Sequence, residues 1–332
     1  MSAPARQELL DGLFAPPTEA ERAAIERDWE SRPAPEPRGV RVELEKREKD
    51  GRRTLVVSHL VNGNRHYGAV RIPAAAPEKR LPVLVVAHGG DKGASGYHFF
   101  HHGALADEWI QVVPSFRSEP LLLTPFRAYR SEGLANPWDG DVDDTMQLLS
   151  AVLGLLPQAD SSRVAVFGHS RGGGVALLMG ERDPRIRAVV SVAGPTDLFL
   201  PDIRRVATRG LSLPLPRLPG ANYLADSVLF ALRDGRTTLP RARLEMLRRS
   251  PAWFAHRLPP TQVHHGALDN KVAFAHGERL AAFAGQVPGR TLEFHAYPAG
   301  KHRTRTLDGA VARAEEFLMR TVANASTSSA SP

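Results

Sequence analysis

The sequence contains no cysteine. That removes disulfide bridges, thiolate nucleophiles and cysteine-ligated zinc together, and it leaves the redox compartment open. Long apolar runs are also missing, and nothing approaches the length of a membrane span. The N-terminal stretch carries Glu8, Asp11, Glu19, Glu21, Glu26 and Asp28 and lacks the apolar centre of a signal peptide, so a cytoplasmic protein is expected, with no membrane partner. The formal charge of +7 invites a polyanionic partner, but no dense Lys/Arg run with interleaved aromatics is present, so nucleic acid is not expected. No internal repeat is evident, and no glycine loop follows a strand in phosphate-cradling form. His98, His101 and His102 suggest a metal only weakly. His98 and His102 would share a face of a helix expected near 99–108, but no carboxylate set accompanies them, so no metal and no cofactor is expected.

What is present is an ordinary globular composition, 42% hydrophobic and 24% charged over 332 residues, suited to one α/β enzyme with additions. Two short amphipathic helices are expected near 7–14 and 19–30, with Thr18 and Glu21 spaced as a capping box. The Pro-rich stretch 31–37 reads as a linker. Segments 40–45, 54–60 and 66–72 alternate apolar and polar residues between Asp50-Gly51 and Asn62-Gly63-Asn64 turns, which predicts an antiparallel meander. From Leu81 the pattern changes to buried-type strands (81–87, 110–113, 186–193, 262–265, 291–296) alternating with helices (139–156, 272–284, 309–322). That implies a mostly parallel sheet covered on both faces. The alternation breaks between Leu198 and Trp253, read as a helical lid insertion. The expected organisation is therefore an N-terminal arm and linker over 1–38, a catalytic α/β domain over 39–322 with the lid at about 198–253, and a disordered tail over 323–332.

The chain is organised around Val164-Ala165-Val166-Phe167-Gly168-His169-Ser170-Arg171-Gly172-Gly173. An apolar strand, a sharp turn and a helix follow one another, and the turn reads Gly-x-Ser-x-Gly. Such a turn strains the serine so that its hydroxyl is exposed, and the small flanking residues let strand and helix meet. Ser170 is the expected nucleophile, and the backbone N–H of Arg171, at a helix N-terminus, an oxyanion donor. A second donor is expected from His88-Gly89-Gly90 after the first buried strand, with Gly90 preferred and Gly89 as the alternative. A serine needs a base and the base an orienting acid, in the order Ser, acid, His at successive strand ends. Asp269 lies 99 residues after Ser170, just past the strand 262–265, and His302 lies 33 residues after Asp269, past the next strand. His264 and His265 compete as bases, but they precede the acid and sit within the strand end. His169 is expected to pack in the elbow.

Taken together, His88-Gly89-Gly90, Pro114-Ser115-Phe116-Arg117-Ser118, Gly140-Asp141-Val142-Asp143-Asp144, the Ser170 elbow, Ala193-Gly194-Pro195-Thr196-Asp197, Ser250-Pro251-Ala252-Trp253-Phe254, His265-Gly266-Ala267-Leu268-Asp269 and Tyr297-Pro298-Ala299-Gly300-Lys301-His302 resemble the catalytic domain of the prolyl oligopeptidase family, over about residues 81–320. The resemblance implies an α/β-hydrolase fold, a triad of Ser170, Asp269 and His302, and an oxyanion site at Arg171 and the His-Gly-Gly loop. Only about eighty residues precede this region, too few for the β-propeller of the family's gated peptidases. The expected function is a serine hydrolase working through an acyl-enzyme on small esters and short peptide or aminoacyl amides. The alternative is a non-catalytic hydrolase-fold binding or scaffold protein. Leu198, Phe199, Leu200, Leu211, Leu213, Leu215, Tyr223, Leu224, Leu229, Phe230, Trp253 and Phe254 are expected to make the lid an apolar wall over the serine.

Overall fold

Alternating side chains build the first three strands, β1 (Arg38–Arg47), β2 (Arg53–Val61) and β3 (Asn64–Ile72), which pair antiparallel in sequence. Asn62 and Gly63 both adopt positive φ, 49° and 83°, the geometry of a two-residue hairpin turn. In β4 (Leu81–Ala87) every residue is buried, as its continuous apolar sequence requires of a strand covered on both faces. After the short β5 (Ala94–Ser95) comes β6 (Ile110–Pro114), which is antiparallel to β3 and parallel to β4. It joins the meander to the parallel part of the sheet. Then follow β7 (Pro120–Thr124), β8 (Arg127–Arg130), β9 (Ala159–His169), β10 (Ile186–Val192), β11 (Thr261–Gly266) and β12 (Leu292–Tyr297). The main sheet has the order β1-β2-β3-β6-β4-β9-β10-β11-β12, parallel from β6 onward.

This computed structural model describes residues 2–34, 36–74, 80–124, 127–211 and 220–323. Part of the expected linker (Pro35), the Leu/Pro run 212–219 of the insertion with Leu213 and Leu215, and the tail beyond Ala323 lie outside the described residues. No helix among the described residues is long and apolar enough to cross a membrane.

The core lies on both faces of the sheet. On one face the helices Glu19–Ser31, Asp139–Leu155 and Arg171–Arg182 bring Ile25, Trp29, Leu149 and Leu178 against Val83, Val85 and Val166. On the other, Leu105, Trp109 and Phe317 cover Leu84, Ala165 and Val190. A third cluster joins the N-terminal helix Ala3–Leu13 to the insertion, where Leu10, Leu13 and Phe14 meet Leu198, Val228, Leu229 and Met246.

The structure departs from the sequence expectations in two places and adds one element they do not cover. The helix expected over 99–108 does not form as one piece. Gly103 takes φ 81°, leaving a 3-10 turn at Gly96–His98 and a single helical turn at Ala104–Asp107, so His98 and His102 do not share a helix face. The small sheet β5-β7-β8 has no sequence signal, because Leu121-Leu122-Leu123 carries no period-2 alternation. Trp253 and Phe254 are not lid. Phe254 is buried with its ring 4.6 Å from that of Trp29, and Trp253 packs edge-on to Phe283 at 4.8 Å, because the 3-10 segment Pro251–Arg257 tucks under the sheet's helices. The insertion itself is helical at Pro201–Gly210, across Ala221–Arg233 and at Leu239–Leu247.

The arm is fastened to the insertion by one side chain. Arg243, 7% exposed, donates to the carbonyls of Gly12 (2.9 Å), Leu13 (3.2 Å), Ala15 (2.7 Å) and Pro16 (3.1 Å) and to both carboxylate oxygens of Glu21 (2.6 and 2.9 Å). Glu21 also completes the capping box with Thr18. The Arg243 hydrogen bond is the largest influence on the Glu21 carboxyl; with the Thr18 bonds it outweighs burial and lowers the pKa from 4.5 to about 2. A depressed folded-state value stabilises above the unfolded pKa and is lost as pH falls through the folded one. Arg243→Ala is therefore expected to cost about 3 kcal/mol by stranding buried acceptors and a charge, lowering Tm by several degrees at pH 7. The wild-type advantage over this variant should shrink as pH drops from about 4.5 towards 2, read by thermal melts across that range.

Candidate active site

Strand β9 delivers Ser170 to the carboxyl edge of the sheet, and the helix Arg171–Arg182 starts at the next residue. Ser170 has φ 55° and ψ −122°, a conformation a non-glycine residue adopts only when its surroundings enforce it. The enforcement is steric. A Cβ on Gly168 would lie 1.9 Å from the Gly172 carbonyl oxygen, and one on Gly172 would lie 2.0 Å from that of Ala87. The Ser170 N–H donates to the Val192 carbonyl at 2.8 Å, which ties the turn to the end of β10.

The loops after β11 and β12 bring Asp269 and His302 to this hydroxyl. His302 Nδ1 lies 2.8 Å from Asp269 Oδ2, and its Nε2 lies 2.9 Å from Ser170 Oγ. A carboxylate only accepts, so Nδ1 carries the proton and Nε2 is left to accept from the serine hydroxyl. Asp269 Oδ1 accepts the backbone N–H groups of Lys271 (2.8 Å) and Val272 (3.1 Å). Burial opposes ionisation of Asp269, but His265, His302 and the two amides outweigh it and hold the carboxyl well below the usual carboxylate range. The arrangement can take a proton from Ser170, hold it on an oriented imidazole and return it to another atom.

Sequence reasoning missed the supports. His265 is buried beneath Asp269, its Nε2–H donating to the Val272 carbonyl at 3.0 Å and lying 3.5 Å from Asp269 Oδ2. The i,i+4 spacing of His265 and Asp269 was the available signal. His264 points to the other side of β11, bonded to Tyr297 Oη and Gln262 Oε1, each at 2.8 Å, away from the serine. His169 packs in the elbow as expected and does more. Its Nε2–H donates to the His302 carbonyl at 2.8 Å, while burial lowers its pKa and keeps the ring neutral.

The N–H of Arg171 opens its helix and so belongs to the unpaired first-turn donors, while its side chain turns inward. That guanidinium, 3% exposed, makes a two-pronged pair with Asp141 (2.8 and 2.8 Å), meets Glu119 Oε1 at 2.5 Å and donates to the Gly90 carbonyl at 3.3 Å. It therefore holds the His88-Gly89-Gly90 loop against the elbow. Asp141 and Glu119 precede it by 30 and 52 residues, and nothing local in the sequence marks the contact.

The two glycines of that loop differ. A Cβ on Gly89 would stand 2.9 Å from the His169 carbonyl oxygen and 3.0 Å from Ser170 Cβ, whereas one on Gly90 meets nothing within 4 Å. Gly90 instead has φ 79°, so a side chain there costs backbone strain of about 1–2 kcal/mol. A cavity of about 900 Å³ opens over Ser170, with the elbow and the His88 loop as floor and Leu13, Phe14, Leu198, Val206, Leu224 and Val228 among its apolar walls. Of the expected lid wall, Leu198, Leu224 and Leu229 reach this cavity. Among the described residues no group of three or more His, Asp and Glu side chains gathers as a metal site. Gly89→Ala, which displaces the elbow, is expected to lower kcat for a small ester by about a hundredfold or more, and Gly90→Ala by less. Turnover and Tm measured on both variants check the order.

The sequence profile of the prolyl oligopeptidase family matches residues 127–324. A curated relative, the hydrolase LUC6 of a Fusarium species, is 31% identical over 146 residues, 43% of this chain and 33% of that protein. The match thus spans about a third of the Fusarium protein's length. Among solved structures, acetyl xylan esterase 1 from a Thermoanaerobacterium species superposes with a TM-score of 0.65 at 19% identity, covering 97% of this chain and 99% of that one. The acylaminoacyl peptidase of Pyrococcus horikoshii superposes with a TM-score of 0.55 at 14% identity, covering 86% of this chain and 50% of that one. At such identities these neighbours speak for the fold, an α/β-hydrolase sheet with an antiparallel meander at its start. With the profile spanning more than half of its length, this chain belongs to the prolyl oligopeptidase family of α/β-hydrolases.

Proposed function

We propose that the protein is a serine hydrolase that works through an acyl-enzyme on small esters and short peptide or aminoacyl amides. The observation that carries this reading is the relay from Ser170 Oγ to His302 (2.9 Å) to Asp269 (2.8 Å), with the serine held at φ 55° on the elbow. In this reading Ser170 Oγ attacks the substrate carbonyl while His302 Nε2 takes its proton, and Asp269 fixes the imidazole tautomer and stabilises the imidazolium. The oxyanion lies at the Arg171 N–H and an N–H of the His88 loop, Gly90 or Gly89. His302 then protonates the leaving group, and water repeats the sequence on the acyl-enzyme.

Residues 39–322 form the catalytic unit in this proposal, with the insertion from Leu198 to Leu247 as the lid and 1–38 as an arm that closes the same cavity. A volume of about 900 Å³ with mostly apolar walls suits a small acyl or aminoacyl group.

A fluorophosphonate probe tests the chemistry. Wild type is expected to be labelled at Ser170 and Ser170→Ala not, with Asp269→Asn lowering kcat by about 10⁴. An unlabelled wild type beside labelled controls would leave a non-catalytic binding protein as the reading. Comparing kcat/KM for short p-nitrophenyl esters, aminoacyl-naphthylamides and a denatured protein tests the substrate class. Efficient protein cleavage with negligible ester turnover would overturn it.

A further inference from the structure

The chain has only six lysines among its 43 basic residues, and three of them, Lys92, Lys271 and Lys301, fall on the loops that carry the site. Lys92 follows Gly90 by two residues, Lys271 follows Asp269 by two, and Arg303 follows His302 directly. Lys92, Lys271 and Arg303 are all exposed and all line the cavity over Ser170. Many arginines in this protein are paired with carboxylates, Arg171, Arg182 and Arg243 among them. No carboxylate or other acceptor among the described residues engages the side chains of Lys92, Lys271 or Arg303. Asp91, the acid between Gly90 and Lys92, is exposed, lies outside the cavity lining and pairs with none of the three. Asp269 is buried against His302, and Asp202, which stands alone as a carboxylate among the described lining residues, faces His276 Nε2 at 3.4 Å. The charge of Arg171 is matched by Asp141 and Glu119.

The cavity lining therefore combines apolar residues of the insertion and the arm with three unmatched cations carried by the loops after β4, β11 and β12. Which part of a substrate meets the cations follows from the relay. His302 delivers its proton to the leaving group, so the leaving group lies on the His302 side, beside Arg303 and above the Asp269–Lys271 turn. The acyl group is left the apolar wall. We infer that the site selects acyl compounds whose leaving group carries an anion, a carboxylate or a phosphate, held by Lys92, Lys271 and Arg303. This rests on the hydrolase reading of the same site. In the step proposed, the acyl carbon–oxygen bond breaks, Ser170 Oγ takes the acyl group, and the leaving oxygen departs protonated by His302 with its anion unchanged. Each cation within about 5 Å of that anion contributes roughly three- to fourfold in a water-like dielectric, about thirtyfold for three.

The test compares the butanoyl ester of 4-hydroxybenzoate with that of methyl 4-hydroxybenzoate, each rate normalised to hydroxide-catalysed hydrolysis. The butanoyl ester of 4-hydroxyphenyl phosphate distinguishes phosphate from carboxylate. Wild-type kcat/KM is expected to favour the anionic esters by about tenfold or more in 10 mM salt. The preference should collapse towards one in 1 M salt, where the screening length falls from about 30 Å to about 3 Å. Lys92→Gln, Lys271→Gln and Arg303→Gln should each lower the anionic-to-neutral ratio by roughly three- to fourfold, and the triple variant should abolish it. Since the readout is a ratio within one protein sample, partial misfolding does not mimic it. A wild type that hydrolyses the neutral ester as well as the anionic ones at low salt overturns this inference alone. Turnover of all three esters no faster than by Ser170→Ala overturns the hydrolase reading and this inference with it.

Discussion

Strand β9, the helix after it and the end of β4 meet with their backbones closer than any side chain allows. Hypothetical Cβ atoms on Gly168 and Gly172 would stand 1.9 and 2.0 Å from carbonyl oxygens. Neither contact can relax, because the far atom in each case is main chain held by a sheet or helix ladder. The chain can pass from strand to helix here only by putting Ser170 at positive φ, against a cost of about 1–2 kcal/mol. The buried strands on either side, β4 and β10, keep it there. Ser170 Oγ is therefore a point fixed by the rigid centre of the sheet, and His302 and Asp269 are placed relative to it by the parallel neighbours β11 and β12.

A second fixed point is electrostatic. Arg171 carries its charge into the core, where desolvation penalises it, and Asp141 and Glu119 compensate across distances of 2.5–2.8 Å. Asp141 is fully buried as well, so removing any one member would leave a charge without water or partner. Burial pushes the Glu119 carboxyl up despite Arg171, and pushes His88 down to about 3, so His88 stays neutral. Its ring makes a contact with its neighbour's carbonyl, Nδ1–H to Gly89 O at 3.1 Å. An ion cluster of this kind is a poor source of stability compared with apolar packing. What it does here is join three separate segments, the helix Asp139–Leu155, the turn at Glu119 and the loop 88–90, to the residue that follows the serine.

Much of this was legible in the sequence, and the reasons differ by element. Strand β4 is expected at its observed bounds because a strand buried on both faces is a continuous apolar run. The meander is legible because its faces differ and its Asn-Gly turn demands positive φ. Ser170, Asp269 and His302 emerge from order and strand ends, which depend on topology more than on exact boundaries. The failures share a cause in tertiary packing. Phe99 and Phe100 look like part of a helix, yet Gly103 breaks the chain there and Phe100 packs edge-on to Phe167 at 5.1 Å. Trp253 and Phe254 look like lid because they border the insertion, while their partners Phe283 and Trp29 come from distant parts of the chain. The inward turn of the Arg171 side chain leaves no local trace, since a residue after an elbow serine is recognisable by its N–H alone.

The apolar and the charged residues that line the cavity have different structural origins. Its apolar wall is made by segments that need each other, because the Ala3–Leu13 helix and the insertion share one hydrophobic cluster and neither covers it alone. Burying Leu10, Leu13 and Phe14 there draws the arm over the site as a consequence of packing, and Arg243 then fixes its path by satisfying four carbonyls the turn would otherwise leave bare. The exposed cations Lys92, Lys271 and Arg303 lie on loops instead. The loops after β4, β11 and β12 must keep backbone N–H groups and the imidazole aimed inward, so side chains one or two residues further on are free to face water. A charge placed there costs little desolvation and leaves the relay geometry alone. The apolar lining is thus built from elements that are part of the fold's core, and the charges beside it are carried by positions whose side chains the fold does not otherwise constrain.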